Sequence, residues 1–507
     1  MPPEPRNIRR TCSLLCAALL PLSLAADEAL PALRLTLAEA VVMALENNPL
    51  FHVERLQPDF WRTYEQEARA EFDPVLAAEA ARTRTDGEVD TTSPVPPAYL
   101  DERAGAWEGG AALEQRLPTG TRISLGAELS RARTDFAPDP GAEFDDRRDL
   151  TRINLTLTQS LLRGLGPSVN LARLRQARID TLISEHELRA AAETLVSRVE
   201  LAGWDYVLAG RRMEIYQESL QLAERQRDEV RERILVGHLA EIELAAAEAE
   251  VAQRRESLIN ARSVLAQRQL MLLRLLAPPS GQGLWECSLV IEDEPFVPEE
   301  DPEPVLNHVK RALELRPELR EAQLLTARGE LEVAHTRNGM LPRLDFFITL
   351  GRTTYADSFG ESGRETERTE NILKGGLRLE YPPLNRADRA RHRRSVNQLE
   401  QAQLALANLE DLVQTEVRVA MLEVQRSHEQ IAATRATRLH REESLRAETE
   451  KFRVGKSTSM LVAQAQRDLV ASRIAEVESV ISHLKARLEL YRLDGSLLRR
   501  RGLEHAG

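Results

Sequence analysis

Ala44-Leu45-Glu46-Asn47-Asn48-Pro49 and Ala312-Leu313-Glu314-Leu315-Arg316-Pro317 are one passage written twice, 268 residues apart (44 to 312). Pro74 and Pro342 keep that spacing, and each ends a helical pattern and opens an alternating one. A second landmark, Val236-Gly237, returns as Val454-Gly455 after only 218 residues (237 to 455). The first copy is therefore longer by 50 residues, all between its proline and its glycine. Self-similarity at this scale means one structural unit used twice. The expected division is a first repeat over 26–280, an acidic Pro-rich linker over 281–304 and a second repeat over 305–507.

Each repeat holds a long helical hairpin. The segments 167–237 and 385–455 span 70 residues each, ~105 Å as unbroken helix. Leu399, Leu406, Val413 and Ala420 recur every seventh residue, as do Leu244, Val251, Leu258, Leu265 and Leu272. Ile474, Val477, Ile481, Leu484, Leu488 and Tyr491 alternate three and four apart, a coiled-coil seam. Gly237 and Gly455 fall where such a helix must stop and reverse, since glycine enters the left-handed conformation freely.

Between the helices lie alternating segments of about ten residues. In 122–133, Ile123, Leu125, Ala127 and Leu129 share a face. In 151–160, Ile153, Leu155 and Leu157 oppose Asn154, Thr156 and Thr158. Leu344, Phe346, Ile348 and Leu350 repeat the pattern, and Leu373, Leu377, Leu379 and Tyr381 follow it. Four strands are expected in repeat 1 (near 73–84, 106–117, 120–133 and 151–160) and two in repeat 2, joined by polar loops over 86–104, 134–149 and 356–370. Such strands suit either a soluble sheet or a membrane barrel, in which lipid-facing and lumen-facing residues alternate. Six strands cannot close a membrane barrel, because single-chain barrels start at about eight. A barrel reading therefore requires several copies of the chain.

Composition narrows the classes. The net charge of -12 argues against a nucleic-acid partner. Charged residues make up 29% and aromatics 4%, the balance of long helices. Arg6, Arg9 and Arg10 precede an apolar run over 14–24, and Ser23-Leu24-Ala25 supplies small residues for cleavage, so 1–25 reads as a signal peptide. Cys12 and Cys16 fall inside it, leaving Cys287 alone, with no partner for an internal disulfide. Walker A, G-x-S-x-G and H-E-x-x-H patterns are absent, so we expect no catalytic residue, no cofactor and no metal site. His335, His392, His428, His440 and His483 read as surface histidines on charged helix faces. Arg389, Arg391, Arg393 and Arg394 form a basic patch at the start of a long helix.

The passages 35–49 (LTLAEAVVMALENNP), 159–166 (QSLLRGLG), 452–466 (FRVGKSTSMLVAQAQ) and 490–495 (LYRLDG), in this doubled order, resemble the TolC-type outer-membrane efflux proteins. The resemblance covers about 33–498. It implies a mostly α chain with a membrane β-barrel portion, a homotrimer whose helical hairpins continue the barrel as an α-barrel across the periplasm. It implies a passive exit duct in the outer membrane, not an enzyme, serving efflux or type I secretion. The partners implied are outer-membrane lipid, a periplasmic adaptor and an inner-membrane transporter. The tips, Val236, Gly237, Val454 and Gly455, match the adaptor-contact motif, and Glu243 matches an acidic position near it. Leu461 and Gln464 stand where such proteins carry gate aspartates, a departure, and Ser457 replaces an arginine of a closing salt link. The 50 extra residues either enlarge the barrel to about eighteen strands per trimer or fold outside it. A periplasmic coiled-coil tether is the other reading of the helices, and it gives no role to the strands.

The lipid-facing residues expected on this reading are Ile153, Leu155, Leu157, Leu344, Phe346, Ile348, Leu377 and Leu379. Leu155→Lys should impair membrane insertion by up to ~2–4 kcal/mol, while Thr156→Lys, on the opposite face, should be tolerated. Outer-membrane yield of the two variants measures this, and equal yields would remove the lipid-facing assignment.

Overall fold

A computed structural model describes residues 32–90, 99–137, 144–237, 239–276, 285, 287–297, 303–356 and 368–503. The expected signal peptide lies outside these residues, as does much of the 281–304 linker. In chain order the elements are β1 (Ala32–Leu35), α1 (Leu37–Asn47), α2 (Pro49–Ala70), β2 (Val75–Asp90), β3 (Tyr99–Arg116), β4 (Thr121–Ala137), β5 (Phe144–Ser160), α3 (Pro167–Asn170), α4 (Ala172–Leu235) and α5 (Ile242–Leu276). Then come β6 (Ser288–Ile291), α6 (Val305–Leu315), α7 (Pro317–Gly339), β7 (Arg343–Ala356), β8 (Arg368–Glu380), α8 (Arg386–Arg453), α9 (Ser459–Leu493) and α10 (Leu497–Arg500).

The repeated passage is a helix junction. Thr36 and Glu39 form a reciprocal capping box that starts α1, and Asn48 ends it while accepting from the Leu50 and Phe51 amides to start α2 at Pro49. α6 and α7 also meet at a proline, Pro317 at the start of α7, but Arg316 stands in the place of Asn48 and provides no side-chain cap. α1 packs on the middle of α4, where Gly203 leaves room for Leu37: a Cβ on Gly203 would meet Leu37 Cδ2 at 2.2 Å. α6 packs on α8. Two apolar cores result. One gathers Ala40, Val41, Ala44, Val196, Val199 and Leu272, and the other gathers Val309, Ala312, Val413, Val417, Met421 and Leu490. The parallel pair β1–β6, absent from the sequence reading, closes the first, and Tyr206 donates to the Leu289 carbonyl beside it.

α4 has 64 residues and α8 has 68, ~96 and ~102 Å long, whereas α5 and α9 have 35 each. Each return helix therefore covers half of its partner, and α2 and α7 cover the other half. The first long helix is not continuous from Pro167. Asn170 turns its side-chain amide back to the carbonyls of Pro118 (3.0 Å), Gly164 (2.8 Å) and Gly166 (3.1 Å), which separates α3 from α4. Val413 and Ala420 of the heptad rows are buried, as are Val251, Leu258 and Leu272. His483 departs from its expected surface position: it is buried and hydrogen-bonded to Ser427 (3.1 Å).

Among the described residues, one antiparallel sheet runs in the order β2-β3-β4-β5-β7-β8. All six expected strands are present but longer, 13 to 18 residues, and they run on through much of the expected loops 86–104 and 134–149 and into the ends of 356–370. The pairing continues to Asp90↔Tyr99 and to Phe136↔Phe144. These outer segments are rich in charged and polar residues without regular alternation, so the sequence offers no period to read there. β2 corresponds to β7 and β5 to β8, which makes β3–β4 the extra hairpin, and it is paired on both sides within the sheet. Its base turn is held by the Asn170 bond to Pro118, by the Gly166 amide on the Thr119 carbonyl (3.1 Å) and by the Ser160 amide on the Gly120 carbonyl (3.3 Å).

Gly120 has φ +89°, and a Cβ there would sit 2.2 Å from the Gly164 carbonyl oxygen. Gly109, in the middle of β3, has its nearest neighbour at 3.9 Å. Gly120→Ala should therefore destabilise the hairpin base by at least ~1–2 kcal/mol of backbone strain, and Gly109→Ala should not. Thermal unfolding of the two variants in detergent tests this, with equal melting points as the contrary result.

Candidate functional site

Two regions stand out from an otherwise charged surface: one face of the sheet, and the far ends of the helical hairpins.

Strand register places all eight expected lipid-facing residues on one face. Leu155 pairs with Leu350, Leu157 with Ile348, Phe346 with Leu377 and Leu344 with Leu379, while Ile153 lies on the same side of β5. One cross-strand row crosses the whole sheet: Leu76, Leu113, Leu125, Leu155, Leu350 and Leu373. Its two ends are open, with Leu76 72% and Leu373 76% exposed. Toward the loops the apolar face ends in a row holding Arg82, Trp107, Arg131 and Asp149. There the Arg82 guanidinium lies 5.0 Å from the Trp107 ring and Arg131 pairs with buried Asp149 at 2.8 Å. An apolar band bounded by charge and an aromatic ring is the pattern of a strand wall in lipid.

The opposite face is polar. Glu114, Ser124, Thr156, Thr349 and Lys374 form the neighbouring row there, with Thr156 and Thr349 hydroxyls 3.1 Å apart. Arg152 pairs with Glu128 on the same face at 3.1 Å.

At the other extreme, α4 turns into α5 at Val236-Gly237 and α8 into α9 at Val454-Gly455. Both glycines have φ 73°, which satisfies the last carbonyls of each long helix without a Cβ penalty. Val236 and Val454 are each 68% exposed. Around them Leu235, Ile242, Met460 and Leu461 are also exposed, so each tip carries an apolar crown that sequence reading reduced to its Val-Gly pair. Glu243 accepts a hydrogen bond from the Ser459 hydroxyl and ties the start of α5 to the start of α9. Thr458 caps α9 by accepting from the Leu461 amide (3.4 Å). Gln464 is exposed one turn on. Ser457 donates to Glu448 (2.9 Å), and Lys451 together with Ser457 holds the Glu448 carboxyl below the usual carboxylate range.

Further from the turns, Arg254 and Glu250 form a buried pair (2.6 Å) that Arg467 of α9 approaches at 3.6 Å. Glu250 and Arg254 stand one helical turn apart on α5, a spacing the sequence shows, whereas Arg467 joins them only when α5 lies against α9. The most perturbed acid and base lie away from both regions, in helix packing. Burial pushes Glu193 up to about 7 and His483 down to about 4. Among the described residues no cluster of His, Cys, Asp and Glu is placed to hold a metal ion, and no helix is long and apolar enough to cross a membrane.

The profile of the outer membrane efflux protein family matches residues 122–277 and 308–496, more than half of the chain. Solved structures share the fold at low identity. The chain is similar to a membrane protein from Pseudomonas aeruginosa (19% identity, 90% of each chain covered, TM-score 0.66). It is also similar to the Campylobacter jejuni CmeC outer membrane channel (14% identity, 91% of this chain and 86% of that one, TM-score 0.66). A third likeness is to the open state of the Neisseria gonorrhoeae MtrE outer membrane channel (16% identity, 91% and 89%, TM-score 0.63). A search among curated proteins finds no significant match. The repeated helical hairpins, the one-sided apolar sheet and the profile match agree, and the chain belongs to the outer membrane efflux protein family, whose members are channels of the outer membrane and not enzymes.

Proposed function

We propose that three copies of the chain assemble into one passive exit duct, with the sheets closing a barrel in the outer membrane and the helices continuing it through the periplasm. The observation that carries this is the open sheet. Its apolar face needs lipid, yet among the described residues β2 and β8 each have one edge without a strand partner. In hydrocarbon an unpaired strand edge is too costly to persist, so copies must pair edge to edge. The directions permit it. β2 leaves the helical end and β8 returns to it, so β8 of one copy meets β2 of the next antiparallel.

The internal repeat supplies a template for the helical contacts between copies. Within the chain α4 packs on α7 through Asp180–Arg328 (3.0 Å) and Gln176–Glu332 (2.9 Å). The equivalent positions are Gln398 and Arg394 on α8, and Phe60 and Tyr64 on α2, and both helices are edges of the protomer. Phe60 and Tyr64 are exposed, and the side chains of Arg386, Arg389, Arg393 and Arg394 have no carboxylate partner in the chain's described residues. Only Arg391 of the expected basic patch is paired, with Asp388 at 2.8 Å. A ring that repeats the α4–α7 contact as α8 against the next copy's α2 uses these groups.

The duct reading gives the chain its partners. The exposed tips suit docking of a periplasmic adaptor, which joins the duct to an inner-membrane transporter that supplies the energy, in efflux or in type I secretion. Residues 1–25 serve as the export signal, and the two repeats over 26–280 and 305–507 are the building units. With Leu461 and Gln464 in place of acidic residues, closure at the tips rests on packing and on hydrogen bonds such as Glu243–Ser459, not on a ring of carboxylates.

Two experiments address this reading. With Cys287→Ser as background, Tyr64→Cys combined with Arg394→Cys should give a trimer ladder with a bis-maleimide reagent in membranes; cross-linking absent, or stopping at dimers, contradicts the ring. Val236→Asp with Val454→Asp should leave outer-membrane trimers intact and abolish cross-linking to the adaptor in host envelopes. Unchanged adaptor capture would move the docking surface away from the tips.

A further inference from the structure

The extra hairpin β3–β4 has no counterpart in the second repeat, yet it is built into the wall and not attached to it. It sits in the middle of the sheet, between β2 and β5, the strands that correspond to β7 and β8. Every residue of β2 from Val75 to Asp90 faces a partner on β3, and β4 is paired with β5 from Thr121 to Phe136. The leucine row passes through Leu113 and Leu125 without a break, and the polar row behind it passes through Glu114 and Ser124. The base turn is clamped by Asn170 at the top of the helices.

On the three-copy reading above, we infer that the membrane portion is an eighteen-stranded barrel whose bore matches that of the helical tunnel beneath it. Six strands ~4.8 Å apart and tilted ~40° cover ~37 Å of circumference per copy. Four helices abreast, with α2 or α5 beside α4 and α7 or α9 beside α8, cover about the same at ~9 Å spacing. The hairpin thus brings the strand wall to the width of the helix wall, and three copies enclose a barrel with a backbone diameter of ~36 Å, in the class that leaves an open aqueous channel. Four strands per copy would cover only two thirds of that circumference. The polar face toward this lumen carries both signs, Glu79, Glu114 and Glu128 with Arg152 and Lys374. It admits hydrated cargo of either charge. The barrel then does not sieve, and selection by size falls to the far end, at the tips.

Electron cryomicroscopy of the full-length protein, extracted in mild detergent, tests this by counting strands. A parallel variant lacking residues 97–138 joins β2 to β5 as β7 joins β8. The expected result is eighteen strands around the three-fold axis for the full chain and twelve for the variant, a loss of one third. A trimer of the full chain with twelve strands in its wall, and β3–β4 packed outside it, overturns the inference while leaving the three-copy duct standing. A particle that is not a trimer removes the three-copy reading and this inference with it. If the shortened variant fails to fold, the strand count of the full-length protein decides alone.

Discussion

A peptide group in hydrocarbon has no water to bond, and that constraint organises this molecule. A six-stranded sheet with an apolar face can live in a bilayer only if its first and last strands find partners. The chain ends its sheet with β2 on one side and β8 on the other, running in opposite directions. An even number of strands per copy makes the edge of one the antiparallel complement of the edge of the next. In the proposed assembly the closure that protects the backbone also creates the lumen, so the membrane problem and the transport function have one solution.

The helices follow the same economy. Each long helix is too long for its return helix, which ends halfway. The remaining half is covered by α2 or α7, so the helical layer keeps a constant width from the sheet to the tips. The joints occur where α1 and α6 pack, and there the apolar cores are concentrated. Gly203, the Asn48-capped junction at Pro49 and the proline that opens α7 at Pro317 let short helices enter at that level. Elsewhere the helix contacts are thin seams with Ser, Thr and ion pairs among the apolar residues, as between Thr434 and Ser479 (2.8 Å) or Arg438 and Glu476 (2.5 Å). Thin seams suit a wall that has solvent on both sides.

At the tips the balance reverses. Their turns rest on two glycines and few packed neighbours, and they expose Val236 and Val454 where a soluble hairpin would place polar residues. The link from Glu243 to Ser459 is among the few ties between the two hairpins at that end. Few packed neighbours make a region the first to open locally, so the tips are the least stable part of the helical layer.

The sequence by itself determined the doubling, the helical hairpins with their glycine turns, the existence of six strands and the one face that their apolar residues share. These are local matters: a period of 3.5 or 2 and a backbone angle that only glycine takes readily leave their mark on adjacent residues. Tertiary structure alone decided the rest. Strand ends past Thr83 or before Asp149 carry no regular alternation, so only pairing with a neighbour extends them. The place of β3–β4 inside the sheet rests on Asn170 reaching Pro118, 52 residues away in sequence. The burial of His483 and the approach of Arg467 to the Glu250–Arg254 pair arise from one helix lying against another. Periodicity tells which side of an element is apolar, but it does not tell which other element that side will meet.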